Sequence, residues 1–156
     1  MLEYTCTLCD ERWWRFAMIT DTPFVCHACD FKRARKVFDT DITQPLLLYV
    51  AGKYRGDVKK NINEASKVGA TLWGMGHHVI TPHMNTAFME KYSHASTEQF
   101  LAGDLRMLSH CDGIVLLPGW QESEGARGEY ALALKKGLLV WEWPSCPPPP
   151  ENVSGD

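Results

Sequence analysis

The stretch that most constrains the fold is residues 112–133, which read DGIVLLPGWQESEGARGEYALA. Gly113 to Leu117 form a short apolar run closed by Pro118 and Gly119. Such a run predicts a buried strand that ends in a turn. From Gly125 onward the Ala, Leu and Lys content predicts a helix of about three turns. The connection 119–124 then lies at the carboxyl end of a strand and the amino end of a helix. Open α/β sheets bind ligands at that place, and free backbone N–H groups there favour anions. Glu129 is out of place in this helix. Ala126, Leu132 and Ala133 stand at i−3, i+3 and i+4, so its carboxylate lies on a small, apolar face. On spacing alone a solvated helix edge is the commoner situation for such a residue, and a pocket is the alternative.

The rest of the chain alternates in the same way. Residues 46–51 (LLLYVA) predict a first buried strand, and 52–56 a glycine-bracketed turn. Val58, Ile62, Ala65, Leu72 and Trp73 recur at helical spacing through 57–75. Residues 78–81 predict a second strand stopped by Pro82, and 83–96 read as a long functional or mobile loop. Residues 97–110 predict a helix with Thr97 as N-cap and an apolar stripe of Phe100, Leu101, Leu105 and Leu108. Asp104 stands within that stripe. Two carboxylates on helices flanking one central strand predict a shared cleft with perturbed acids. Residues 138–143 are the last strand, and prolines from Pro144 onward end regular structure. The predicted class is α/β, with a doubly wound, flavodoxin- or Rossmann-like parallel sheet of at least four strands. No G-x-G-x-x-G follows the first strand and no P-loop is present, so dinucleotide and NTPase readings lack their motif.

Residues 1–44 read as a separate module, 45–143 as the α/β domain and 144–156 as a proline-rich tail. Cys6 and Cys9, then Cys26 and Cys29, form two C-x2-C pairs sixteen residues apart, inside zinc-ribbon spacing. Four thiolates make a closed tetrahedral zinc site of a structural kind. Cys111 and Cys146 fall outside the pattern and read as buried thiols. Lys32, Arg33, Arg35 and Lys36 form a basic cluster, but the module holds six basic and seven acidic residues. A solvated helix face is therefore favoured over a nucleic-acid contact, and the net charge of −3 agrees. No apolar run is long enough for a membrane span, and the start lacks a signal-peptide core. These features predict a cytoplasmic protein with no membrane partner.

The motifs YVAGKYRG at 49–56, Gly103-Asp104-Leu105, Asp112-Gly113 and Ser123-x-Gly125-x3-Glu129-x3-Ala133 resemble the nucleoside 2-deoxyribosyltransferase superfamily. The likeness is greatest to its small phage and bacterial members and to the nucleoside 5′-monophosphate N-glycosidases. It spans residues 46–143 and leaves out the cysteine module. It implies Glu129 as nucleophile, Asp104 as the acid that protonates the leaving base, and Tyr49 as the hydroxyl that orients the nucleophile. Glu129 is then expected ionised and Asp104 protonated, with their pKa values pushed apart. The resemblance further implies a ligand approach at Gly52, phosphate contacts from Arg55, Ser123 and the backbone near Gly125, and a substrate contact from His83. It implies a nucleotide or nucleoside as small-molecule partner, a homo-oligomer, and no cofactor for catalysis. Asp112 is expected to be structural. The transferases carry an acidic residue where Ser123 stands, and the proline-rich tail does not resemble their C-terminal segment. Both departures favour a hydrolase. Glu122 and Glu124 crowd the implied phosphate site unless they turn to solvent or pair with Arg127. A catalytically silent nucleotide-binding or sensing module, docking a partner through its cysteine module, is the reading from another class. The P-G-G-x-G-T run of cytokinin-type phosphoribohydrolases is absent.

The cysteine spacing carries the first prediction. Freshly purified, unchelated protein should contain about one zinc per chain by elemental analysis. Absence of both zinc and iron would reject the site.

Overall fold

A computed structural model describes residues 42–151 and the backbone of Leu2–Thr5 and Arg12–Arg15. The two short segments, β1 (Leu2–Thr5) and β2 (Arg12–Arg15), pair antiparallel with Leu2 opposite Arg15. Cys6, Cys9, Cys26 and Cys29 lie outside the described residues.

Residues 42–151 form an α/β unit. Its elements are β3 (Leu47–Ala51), α1 (Val58–Gly74), β4 (His78–Ile80), α2 (Pro82–Asn85), α3 (Thr97–Leu108), β5 (Gly113–Leu116), α4 (Glu124–Lys136) and β6 (Leu139–Glu142). The four strands make a parallel sheet in the order β4-β3-β5-β6. From β3 the chain steps outward to β4, then returns to the other side of β3 for β5. Strand order therefore reverses between β3 and β5, and a crevice opens there at the carboxyl ends of both strands.

Side-chain alternation along β3 sorts the core into two halves. Leu48 and Val50 pack with Ala65, Val68 and Leu72 of α1 and with Val115, Leu117 and Trp141. Tyr49 and Ala51 pack on the other side with Leu108 of α3, Ala126 and Ala133 of α4, and Ile114 and Leu116. Each fully buried large side chain of this kind contributes ~1.5–3 kcal/mol. Asp112 ties the strand starts together, as its position predicts. Its carboxylate accepts from Leu47 N–H at 2.7 Å, its own N–H donates to Leu47 at 2.8 Å, and its carbonyl accepts from Leu139 at 3.1 Å.

Several local expectations need correction. Ser96, not Thr97, caps α3: its hydroxyl accepts from Gln99 N–H while the Gln99 side chain accepts from Ser96 N–H. That reciprocal box satisfies two donors a threonine one residue later could not reach. Pro82 does not simply stop a strand; it starts α2, where its missing N–H costs nothing. The stretch 83–96 is not structureless, since it completes α2 and adds a 3-10 turn at Met89–Lys91. Trp73 and Leu101, counted on apolar stripes, are exposed at 54% and 37%. The helix after β5 begins at Glu124 with Ser123 as N-cap. Among the described residues no helix is long and apolar enough to cross a membrane.

The tail is bound to the sheet. His77 is completely buried, and Leu46 N–H donates to its Nδ1 at 3.2 Å. That acceptor role puts the proton on Nε2, which donates to the Pro148 carbonyl at 2.9 Å. Pro147 and Pro150 are buried, and Glu151 N–H donates to the Ile42 carbonyl at 3.2 Å. His77→Ala removes a packed ring and orphans both partners. It should cost about 2–4 kcal/mol in urea titrations of the whole chain. A loss under about 0.5 kcal/mol would show that the clamp is dispensable.

Candidate active site

Tyr49 sits in the middle of β3 and Glu129 one and a half turns into α4, and the fold brings them together across 80 residues. The Tyr49 hydroxyl donates to Glu129 Oε1 at 2.6 Å. Tyr49 is fully buried and Glu129 is 7% exposed, so the solvated-edge alternative for Glu129 is excluded. The small side chains that flank it, Ala126 and Ala133, let α4 lie close to the strand and bury whatever stands between them.

Burial raises the Glu129 pKa to about 8; the Tyr49 hydrogen bond pulls it down and the Asp104 charge pushes it up. Asp104 on α3 is half-buried, and desolvation lifts its carboxyl to about 6. Burial first, then the Glu129 and Asp104 charges, push the Tyr49 phenol far above its ordinary value, so it remains a donor at any working pH. The acids are therefore perturbed and electrostatically coupled, but their order is opposite to the expectation. Glu129 binds its proton more tightly because it is the more deeply buried of the two.

The loop after β3 carries the next group. Gly52 is buried, and a Cβ there would stand 2.8 Å from Leu117 Cδ1, so packing of β3 against the end of β5 accounts for the glycine. His83 at the start of α2 is 6% exposed, and its Nε2 lies 3.0 Å from the Lys53 carbonyl. A carbonyl only accepts, so Nε2 carries the proton and Nδ1 is a bare acceptor. Burial lowers the His83 pKa, which keeps the ring neutral. Its ring meets Tyr54 edge-on at 6.0 Å. Arg55 is exposed. Asn61 Nδ2 fixes the turn by donating to the Tyr54 and Arg55 carbonyls at 3.1 and 3.0 Å, while the guanidinium pairs with no carboxylate among the described residues.

The loop after β5 faces it across the crevice. Gly119 takes the left-handed conformation at φ 78°, and Trp120–Glu122 form a 3-10 turn. Ser123 Oγ accepts from Ala126 N–H at 3.3 Å, an N-cap role. A Cβ on Gly125 would lie 3.3 Å from Leu101 Cδ2, so this glycine lets α4 approach α3. Glu122 does not pair with Arg127. Its Oε2 lies 2.9 Å from Lys53 Nζ, and Arg127 donates instead to the Gln121 carbonyl at 2.8 Å.

Tyr49, Glu129 and Asp104 thus form one coupled group. Gly52 and His83 converge on the β3 loop, Ser123 and Gly125 on the α4 terminus, and no contact joins Arg55 to either. Sequence reasoning gave no role to Lys53 or Trp120 and did not pair Glu122 with Lys53. Trp120 is 4% exposed, and its ring packs 4.6 Å from that of Tyr130. Asp104 Oδ1, His83 Nδ1 and Trp120 Nε1 are buried polar atoms without a hydrogen-bond partner among the described residues, a feature that marks sites built for something else. Cys111 is a buried thiol as expected, lifted to about 11 mainly by burial. Among the described residues no group of three or more His, Cys, Asp and Glu could hold a metal.

A family model described as "Domain of unknown function (DUF4406)" matches residues 46–142, the whole of this sheet and its helices. The match covers more than half of the 156 residues, and the protein belongs to that family. No curated protein matches the chain.

The raised Glu129 pKa fixes the sign of a stability effect. An unfolded glutamate titrates near ~4.3, so as pH rises toward about 8 the native state keeps a proton that the unfolded state has lost. Stability falls over that window. Glu129→Gln keeps an acceptor for Tyr49 and removes the linkage. It should raise the melting temperature at pH ~8 and leave it nearly unchanged at pH ~4. An equal shift at both pH values would mean that the carboxyl is not desolvated.

Proposed function

We propose that the protein cleaves or transfers the N-glycosidic bond of a nucleoside or deoxynucleoside 5′-monophosphate, with Glu129 as nucleophile. The observation that carries this reading is the buried 2.6 Å Tyr49–Glu129 hydrogen bond, coupled to Asp104, at the crevice between β3 and β5. The ionised Glu129 attacks the anomeric carbon. The carbon–nitrogen bond breaks, and its electron pair leaves with the base, which takes a proton from Asp104. Water, or an acceptor base in a transferase, then attacks the same carbon, gives its proton to Asp104 and frees Glu129. Tyr49 holds Oε1 and so fixes which oxygen attacks. A 5′-phosphate meets the first amides of α4 and the basic loop after β3, where Arg55 pairs with no carboxylate among the described residues.

The finer fold assignment belongs to the same proposal: a doubly wound, flavodoxin- or Rossmann-like sheet. The order β4-β3-β5-β6 and the division of the core between α1 on one side and α3 and α4 on the other support it. To the same proposal belong a homo-oligomeric assembly, which the family resemblance implies, and a cytoplasmic location, which the sequence suggests. Zinc held by Cys6, Cys9, Cys26 and Cys29 is structural in this scheme and takes no part in catalysis. One observation favours the second reading, a silent nucleotide-binding or sensing module: with its carboxyl raised to about 8, Glu129 is mostly neutral near pH 7.

Release of free base from a panel of nucleoside 5′-monophosphates separates the two. Glu129→Ala should abolish turnover while the chain stays folded, and Asp104→Asn should lower kcat by ~10²–10⁴-fold. The wild-type rate should follow a bell. It rises through about 6 as the coupled pair loses its first proton and falls above about 8 as it loses the second. Near-wild-type turnover in Glu129→Ala would remove the assignment, and nucleotide binding without base release would establish the silent module.

A further inference from the structure

The Lys53–Glu122 ion pair joins the two loops that flank the crevice. Lys53 lies two residues past the end of β3, and Glu122 immediately precedes the N-cap of α4. The nitrogen and Oε2 are 2.9 Å apart, with side chains 44% and 70% exposed. The two ends of this bridge are anchored differently. The Lys53 backbone is fixed from below, because the buried His83 donates to its carbonyl. Glu122 closes a 3-10 turn whose N–H donates to the carbonyl of Gly119 at 3.1 Å.

We infer that Lys53 is the residue that selects the anionic group of the substrate, and that Glu122 is its built-in competitor. This rests on the nucleotide reading above. Three features support it. Lys53 is the cation whose backbone carbonyl is held by a neutral, buried histidine, whereas the exposed Arg55 pairs with no carboxylate among the described residues. The side chain that neutralises Lys53 is a carboxylate, which offers the same paired oxygens as a phosphate. The pair is exposed, and exposed pairs are weak enough for a dianion to displace. The bridge between the two loops is therefore one that a phosphate opens and an uncharged nucleoside does not. Glu122 and Glu124, which seemed to argue against a phosphate, take on different roles. Glu122 is paired, and it weakens every anion that cannot out-compete a carboxylate.

The test compares kcat/KM for a nucleoside 5′-monophosphate and for its nucleoside in the wild type, Glu122→Gln, Lys53→Met and Arg55→Met, all as full-length chains. Glu122→Gln should raise kcat/KM for the monophosphate about two- to fivefold, the cost of an exposed pair, and leave the nucleoside unchanged. Lys53→Met should lower the monophosphate value roughly ten- to a hundredfold, again with the nucleoside unchanged. In the Glu122→Gln background the monophosphate should also lose affinity more steeply with salt, since Lys53 then meets only the ligand. Equal effects on both substrates in Glu122→Gln, or a larger loss in Arg55→Met than in Lys53→Met, would overturn the inference while leaving the glycosidase reading intact. A wild type that turns over neither substrate overturns that reading, and the selector with it.

Discussion

A carboxylate buried beside a strand is the constraint around which this fold is arranged. Glu129 can be brought to 7% exposure only if something donates to it, and the Tyr49 phenol does so at 2.6 Å. That donor must come from the middle of β3, on the side of the sheet that α4 covers. The strand before α4 must then lie next to β3, which the pairing of Tyr49 with Ile114 achieves. The alanines at 126 and 133 keep the helix close, and Asp112 fixes the register at the foot of the same two strands. Removing the donor would leave an unsatisfied buried acid, a larger penalty than the hydrogen bond is worth when made.

The strands, the central turn and the acidic pair were legible because each rests on local pattern. The apolar run 113–117 and the Pro118-Gly119 turn after it mark β5 at once, and the apolar faces around Glu129 and Asp104 show where a carboxylate has no ordinary reason to be. Other features were illegible because their partners are remote in sequence. His77 is an ordinary loop histidine until Leu46 and Pro148 close on its two nitrogens from 31 and 71 residues away. Lys53 and Glu122 are 69 residues apart, and nothing local to Glu122 points to that partner rather than to Arg127. Ser96 was missed for another reason: the Ser-x-x-Gln box was present, but Thr97 offered an equally good hydroxyl one position on. The zinc reading lies outside the described residues and remains a matter of spacing alone.

The same interactions give the unit an asymmetry along its strands. At the amino ends, Asp112, His77 and the buried prolines tie the strand starts, the linker and the tail into one bonded layer. At the carboxyl ends the contacts are fewer and more polar: an exposed ion pair, a turn held by Asn61, and three buried polar atoms without partners. Stability concentrated at one end permits unsatisfied groups at the other.

The order of the two acids follows from this arrangement and has a chemical consequence. Because Glu129 is raised further than Asp104, the form holding an ionised Glu129 and a protonated Asp104 is the minor form of the singly protonated pair. In the proposed glycosidase reaction that scarcity would slow turnover, but each group in the scarce form is stronger than its reversed counterpart. A carboxylate of pKa about 8 is the more basic attacker, and an acid of pKa about 6 the readier donor. A nearby cation shifts the balance further. Any positive charge fixed within a few ångströms of Glu129 favours its ionised form, and a base that accepts a hydrogen bond from Asp104 favours the protonated form of that acid. On the proposed reaction, substrate binding would therefore set the productive proton on Asp104 and release the charge that burial of Glu129 otherwise suppresses.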